Sequence, residues 1–362
     1  MPAPNLPRLP TVRNEENSIP SRKTHDNLNQ DCDNAVMPAR FLALAALFSI
    51  PPVIPESPPQ RGERPPRNDL AEIVRTTIDT VGVDEPSGIV FDKERQSLFV
   101  AGDGGDIAEI PLNGTPRLSH DPHRGDIEGI ALDPDGDRLY LIDERTSFVL
   151  EVNIENFEIL RRMPIDGRLD GEQILTGTNR GAEGIAIVPG IGEVASDRFF
   201  ICVQGSGDPA EAAPAALIEL TPAVTDQQEG ADAQPQPAPH ADPNAGANYA
   251  FTIARKIEFE GARDFADLHY DSERGRIVIL SDAENALYLF DLATGEARRA
   301  GGLPGQNQEG FTVDAAGAWH IAQDSGGVIT ARPHHNLGDL WDHSRPVTVT
   351  ETVQSDKPDG AW

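Results

Sequence analysis

The sequence predicts an all-β protein: a single β-propeller of five four-stranded blades, closed by an N-terminal strand. Three observations carry this expectation. A unit of strand, Asp-rich turn, strand, short loop and strand recurs, beginning at Ser87, Glu128, Glu183, Asp267 and Glu309. A fourth strand follows in most units, as in "FEILRRMPI" (157–165) and "FTIARKIEF" (251–259). Long stretches with a 3.6-residue apolar period are missing. Four antiparallel strands repeated at this period describe propeller blades.

The elements follow in chain order. Residues 1–36 are polar and lack apolar periodicity, which predicts a disordered or untranslated leader. Met37 then precedes Arg40 and the apolar run Phe41–Ile50, so residues 37–56 are expected to be a signal peptide and the mature protein to be exported, to the periplasm or cell envelope. The run is too short for a stable transmembrane helix. Residues 57–69 are a Pro-rich linker. The propeller is expected over 70–345. The last unit lacks a fourth strand of its own, and "LAEIVRTTIDT" (70–80) can supply it, which pairs the chain ends and removes exposed sheet edges. "PVTVTETV" (346–353), within a tail at 346–362, either competes for that place or adds an outer strand. The third unit is interrupted by a stretch rich in Ala, Pro, Asp and Gln, expected as a disordered excursion over about 223–249.

Composition narrows the partners. The formal net charge is −29, which disfavours nucleic acid and anionic membranes, since both need a basic face. Two cysteines, Cys32 and Cys202, support neither a disulfide framework nor a thiolate zinc site. A monomer is expected, with a small-molecule or envelope ligand of unknown identity.

The repeats place chemistry at one edge. In a propeller the first strand of each blade lines the channel and the second runs back beside it. The strand heads (Ser87, Glu128, Glu183, Asp267, Glu309) and the tails of the second strands (Asp103, Glu144, Gln204, Asp282, Asp324) therefore share one rim. Eight of these ten positions are acidic, so the rim needs a cation, shared protons or extensive hydrogen bonding. Oxygen-only ligands favour a hard ion, and Ca²⁺ tolerates irregular geometry better than Mg²⁺. Glu128, Glu183, Asp267, Glu309, Glu144, Asp282, Asp324 and Asp103 are the candidate ligands. The alternative is that these acids accept backbone N–H bonds from the neighbouring blade and only join the ring. The glycines at 88, 129, 184 and 310 are expected to let backbones approach near the axis. Glu128, Glu183 and His269 are candidate proton-handling residues; His269 faces the same side as Asp267 by strand alternation. His320 lies mid-strand and is expected to be structural, and "DPDGD" (133–137) to be a hairpin turn. The sequence shows no Gly-x-Ser-x-Gly elbow, Walker loop, dinucleotide fingerprint or His-Glu-x-x-His.

Five segments resemble the SdiA-regulated (YjiK-like) propeller proteins of bacteria: "EPSGIVFDKERQSLFVAGDGGDIAEIPLNG", "DIEGIALDPDGDRLYLIDERTSFVLEVNI", "NRGAEGIAI", "DFADLHYDSERGRIVILSDAENALYLFDL" and "QNQEGFTVDAAGAWHIAQDSG". The resemblance covers about residues 70–332 and implies a β-propeller, often exported or membrane-tethered. The stretched third unit and Gln204, in place of an acid, depart from the pattern.

Three functions remain open on the sequence. One is an exported propeller binding Ca²⁺ at its acidic channel mouth and recognising an envelope ligand. Another is a metal-assisted hydrolase of the lactonase or phosphoesterase kind. The third is a non-catalytic interaction scaffold. Whether the chain is an enzyme is left undecided.

Overall fold

Strands take up most of the described residues, and the inner strands of successive blades pack against one another. Both faces of a strand are then buried, and the sequence is continuously apolar instead of alternating. Ser97–Gly102 and Ala182–Val188 are buried at every position. The computed structural model describes residues 70–78, 80, 82–113, 115–119, 125–175, 181–190, 196–205, 214–225 and 248–355. The expected leader, signal-like segment and linker lie outside them.

The described strands form a β-propeller. Its inner strands are Pro86–Asp92, Ile127–Leu132, Ala182–Val188, Phe265–Asp271 and Gln308–Val313. Each packs against the next, and the last returns to the first. Each also begins an antiparallel run of strands stepping outward, which we number blades 1 to 5 in chain order. Blade 1 continues through Ser97–Gly102, Ile107–Pro111 and Arg117–Ser119. Blade 2 continues through Arg138–Asp143, Phe148–Asn153 and Ile159–Asp166. Blade 3 has Arg198–Val203, Ala216–Thr225 and Asn248–Phe259. Blade 4 has Arg276–Ser281, Ala286–Asp291 and Ala297–Gly302. Blade 5 has Trp319–Gln323 and Val328–Pro333, and its outer strand is Ala71–Ile78, paired antiparallel to Val328–Pro333. The N-terminal strand thus closes the ring.

The turns between first and second strands show why acids recur there. Asp92 Oδ1 accepts from the N–H groups of Glu94 (2.7 Å) and Arg95 (3.0 Å), and Asp314 Oδ1 from Ala316 (2.8 Å) and Ala318 (2.9 Å). The "DPDGD" segment is such a turn, with Gly136 at φ +75°. His320 is buried between Asp314 (3.0 Å) and Thr330 (3.2 Å), a structural bridge across blade 5.

The outer edges depart from simple repetition. The C-terminal segment does not compete for the closing place. Arg345–Val347 pairs with the outer strand of blade 4, and Val349–Val353 with that of blade 3. Ser355 then bonds through its N–H (2.9 Å) and hydroxyl (2.7 Å) to Asp170, beyond blade 2. Blade 2 and blade 3 are also joined by a short parallel pairing, Phe251 with Ile165 and Thr252 with Asp166. The strands flanking the expected excursion run further than the sequence suggested, to Thr225 and from Asn248, and residues 226–247 lie outside the described set. Among the described residues, no helix is long and apolar enough to cross a membrane.

Candidate functional site: the acidic channel mouth

The rim is built by a repeated irregularity. Where each inner strand begins, its pairing with the second strand skips a residue: between Pro86 and Gly88, Ile127 and Gly129, Phe265 and Asp267, and Gln308 and Gly310. In blade 3 the skip runs from Ala182 to Ile185. Ser87, Glu128, Glu183, Ala266 and Glu309 occupy these bulges. A bulge frees one residue from the ladder and re-aims its side chain.

This register corrects one expectation. Asp267 is not a strand head; Ala266 is. Asp267 occupies the position that is glycine in the other four blades. There the backbones crowd: a Cβ on Gly129 would lie 2.6 Å from the Glu183 carbonyl oxygen, and one on Gly184 2.5 Å from Asp267 Cα. Asp267 alone carries a side chain at this level. It is fully buried, and its Oδ2 accepts from the Phe311 N–H of blade 5 at 2.8 Å. Burial holds its carboxyl well above the usual range. Asp267 is a blade-joining acid and does not line the mouth.

A second recurring bond completes the rim. In four of the five blades the N–H of the second-strand tail donates to the carbonyl two residues before a strand head: Asp103 to Glu85 (3.2 Å), Glu144 to Asp126 (2.9 Å), Asp282 to Asp264 (3.1 Å) and Asp324 to Asn307 (3.1 Å). This brings Glu85 and Asp126 to the mouth. The resulting cavity, about 300 Å³, is lined by Glu85, Ser87, Asp103, Asp126, Glu128, Glu144, Glu183, Gln204, Glu309 and Asp324.

Of the eight predicted ligands, Asp103, Glu128, Glu144, Glu183, Glu309 and Asp324 line this cavity, while Asp267 and Asp282 do not. Asp282 instead accepts from the Gln308 N–H of blade 5 at 2.9 Å. Glu144 does both: it lines the cavity and accepts from the Gly181 N–H of blade 3 at 2.7 Å. Sequence reasoning missed Glu85 and Asp126. The available signal was a third acidic register, two residues before the heads, held by Glu85, Asp126 and Asp264. His269 lies below the rim against Phe311, its Nδ1 3.5 Å from Thr312 Oγ1, and burial lowers its pKa to about 4. It is outside the cavity lining, so it is not placed to exchange protons with a ligand there.

Burial and like charge raise the pKa values of Asp103, Glu128, Glu144, Glu183 and Glu309 at the mouth. Burial first, then Asp103 and Glu144, push Glu128 up to about 8. Burial, then Glu128 and Glu144, push Glu183 up to about 10. Burial, then Asp282 and Asp264, push Glu309 up to about 7. Asp103 rises to about 6, first through the hydrogen bond it shares with Asp126 and then through burial. Like charges in a confined site favour the protonated form unless a cation replaces the proton.

The donor set fits a cation at one wall. One ligand atom from each of Asp103, Asp126 and Glu128 lies within 4.8 Å of the others. All three donors are carboxylate oxygens, the chemistry of a hard divalent ion.

Residues 81–247 match a family model described as "Phytase-like: Esterase-like activity of phytase". No curated protein matches the chain. Among solved structures, the chain is similar to a Myxococcus xanthus glutaminyl cyclase (14% identity, TM-score 0.44, 72% of this chain and 95% of that one). It is also similar to a chain of a nidogen/laminin complex (13%, TM-score 0.42, 76% and 88%). A third is the β-propeller domain of Myceliophteria thermophila Cps50 (Swd1) (9%, TM-score 0.36, 72% and 98%). By its strand topology the chain is a β-propeller protein with an acidic channel mouth.

Proposed function

We propose that this propeller is a divalent-cation-dependent hydrolase of phosphoesters, with its site at the acidic mouth. The observation that carries the reading is the convergence of Asp103, Asp126 and Glu128 at the wall of a cavity that holds eight carboxyls. The ionised carboxylates of the mouth repel an anionic substrate, and a bound cation offsets that repulsion. The phytase-like match supports this chemistry over simple recognition. The resemblance to the SdiA-regulated propellers is compatible with it and carries no activity of its own.

In this reading Asp103, Asp126 and Glu128 hold the ion, with Ca²⁺ the expected occupant. A bound divalent cation supplies electrophilic polarisation of a phosphoryl oxygen. The chain supplies the rest. Glu309 gains or loses a proton near neutral pH, which suits general acid–base work.

A scaffold role is the second reading, favoured by the three acids that tie blades: Asp267, Asp282 and Glu144. Export from Met37 belongs to the proposal too, and sequencing the mature N-terminus tests it. For the catalytic reading, Ca²⁺ is titrated calorimetrically into the full chain, and p-nitrophenyl phosphate hydrolysis is followed with Ca²⁺ and with chelator. Glu309→Gln is expected to lower kcat on the order of a hundredfold or more. No heat at millimolar Ca²⁺ sinks the cation site. Binding without turnover of this ester, or of a wider phosphoester panel, sinks the hydrolase and leaves the scaffold.

A further inference from the structure

The mouth is built almost wholly of groups that accept. Among the described lining residues, only Ser87 and Gln204 carry side chains that donate hydrogen bonds without first taking up a proton. Ser87 is committed: its hydroxyl donates to the Glu85 carbonyl oxygen at 3.1 Å. Gln204 is not. Its half-buried amide has no hydrogen-bond partner among the described residues.

The position makes this notable. Gln204 follows Arg198–Val203, and the pair Ala182–Val203 sets it beside the start of the strand that carries Glu183. The corresponding positions in the other blades are Asp103, Glu144, Asp282 and Asp324. Two of those four acids accept a backbone N–H from the next blade, Gly181 to Glu144 and Gln308 to Asp282. In blade 3 the N–H of Asp264 goes instead to the Gln204 backbone carbonyl, at 2.7 Å. The main chain therefore does the joining, and the side chain is left over. A glutamate has nearly the same shape as glutamine, yet it presents lone pairs where the amide presents N–H. An ionised carboxylate repels a ligand oxygen; an amide N–H receives it.

We infer that Gln204 is the specificity-determining donor of the mouth, receiving a phosphoryl oxygen of the ligand from the blade 3 wall while the carboxylates of blades 1 and 2 serve the cation. The inference rests on the cation reading above. Gln204 lies outside the set assigned to the ion, so its loss weakens the phosphate end of recognition and leaves the metal end intact.

The test uses the full chain and two probes, Ca²⁺ alone and then inorganic phosphate added to Ca²⁺-saturated protein, both by calorimetry. The variants are Gln204→Ala and Gln204→Glu, with melting curves to check folding. Wild type is expected to bind both probes. Gln204→Ala is expected to keep its Ca²⁺ affinity within about twofold and to bind phosphate about tenfold more weakly, the scale of one hydrogen bond to a charged acceptor. Gln204→Glu is expected to bind Ca²⁺ at least as well as wild type and phosphate not detectably. Wild-type affinity for phosphate in either folded variant overturns the inference while leaving the cation reading standing. So does a wild type that binds Ca²⁺ but no phosphate. Absence of Ca²⁺ binding in wild type overturns the cation reading and this inference with it.

Discussion

Asp267 Oδ2 accepts a hydrogen bond from the Phe311 N–H at 2.8 Å, and this bond spans the junction between blade 4 and blade 5. It is made at the level where the other four inner strands carry glycine. One side chain thus fills a space that four blades leave to their backbones. Asp267→Ala strands the Phe311 N–H in the interior, and is expected to destabilise the fold by about 1–3 kcal/mol. Asp267→Asn retains an acceptor and removes the buried acid, so it is expected to cost less than the alanine variant. Urea unfolding of both variants checks the order. Equal midpoints for the two would remove the hydrogen bond from the account.

The glycine ring makes a steric prediction with an internal control. A Cβ at Gly184 would sit 2.5 Å from Asp267 Cα, while one at Gly104 meets nothing within 4 Å. Neither site is held at positive φ, so the comparison isolates space from backbone conformation. Gly184→Ala is expected to cost about 1–3 kcal/mol or more, because backbone must move to admit the methyl. Gly104→Ala is expected to be near neutral. Thermal melts suffice, and a Gly184→Ala protein as stable as the Gly104→Ala protein contradicts the packing described.

Proton uptake at the mouth sets a pH dependence whose sign follows from linkage. The carboxyls of Glu309, Glu128 and Glu183 are raised to about 7, 8 and 10 in the folded chain, above their unfolded value of 4.5. Below that unfolded value both states are protonated and stability from these groups is fully present. As pH rises toward the folded values, the unfolded chain has already released protons that the folded chain still holds, so stability is lost. In chelator, the urea midpoint is therefore expected to fall between pH 5.5 and pH 8.5. Glu183→Gln is expected to flatten that slope, and saturating Ca²⁺ to oppose it by replacing protons with the ion. A midpoint that rises with pH in chelator would reverse the sign and discard the protonated mouth.

Much of this architecture is legible in the chain because each blade is a local object. Strand, Asp turn and strand recur within about thirty residues, and the same contacts form each time. The closing strand is legible for a related reason, since the last unit lacks an outer strand and one stands ready at the N-terminus. The C-terminal segment across blades 4 and 3 and the parallel seam at Phe251–Ile165 are not legible. They depend on which edges meet after folding, and no local pattern records that. Matching acid to acid along the repeats places Asp267 one residue out of register. Its true equivalents are Gly88, Gly129, Gly184 and Gly310, and a bulge leaves no direct mark in a sequence. Asp126 escaped because its place comes from the bond between its carbonyl and the Glu144 N–H in a loop. Strand periodicity stops short of that loop.

The division of acids into those that face the cavity and those that tie blades yields the sharpest test of the site. Asp126 belongs to the triad with Asp103 and Glu128, whereas Asp282 spends a carboxylate oxygen on the Gln308 N–H and stays outside the lining. Sequence reasoning alone favours Asp282 as a ligand and overlooks Asp126; the structure inverts that order. Asp126→Asn removes a charged ligand and is expected to weaken Ca²⁺ binding at least ten- to a hundredfold, a loss of the size that even indirect supports of a metal site incur. Asp282→Asn keeps an acceptor for Gln308 and is expected to change Ca²⁺ affinity by less than about threefold, since its charge acts on the mouth only at a distance. Calorimetric titration of both variants beside wild type measures the difference. A larger loss from Asp282→Asn than from Asp126→Asn would move the ion away from the junction of blades 1 and 2 and toward that of blades 4 and 5.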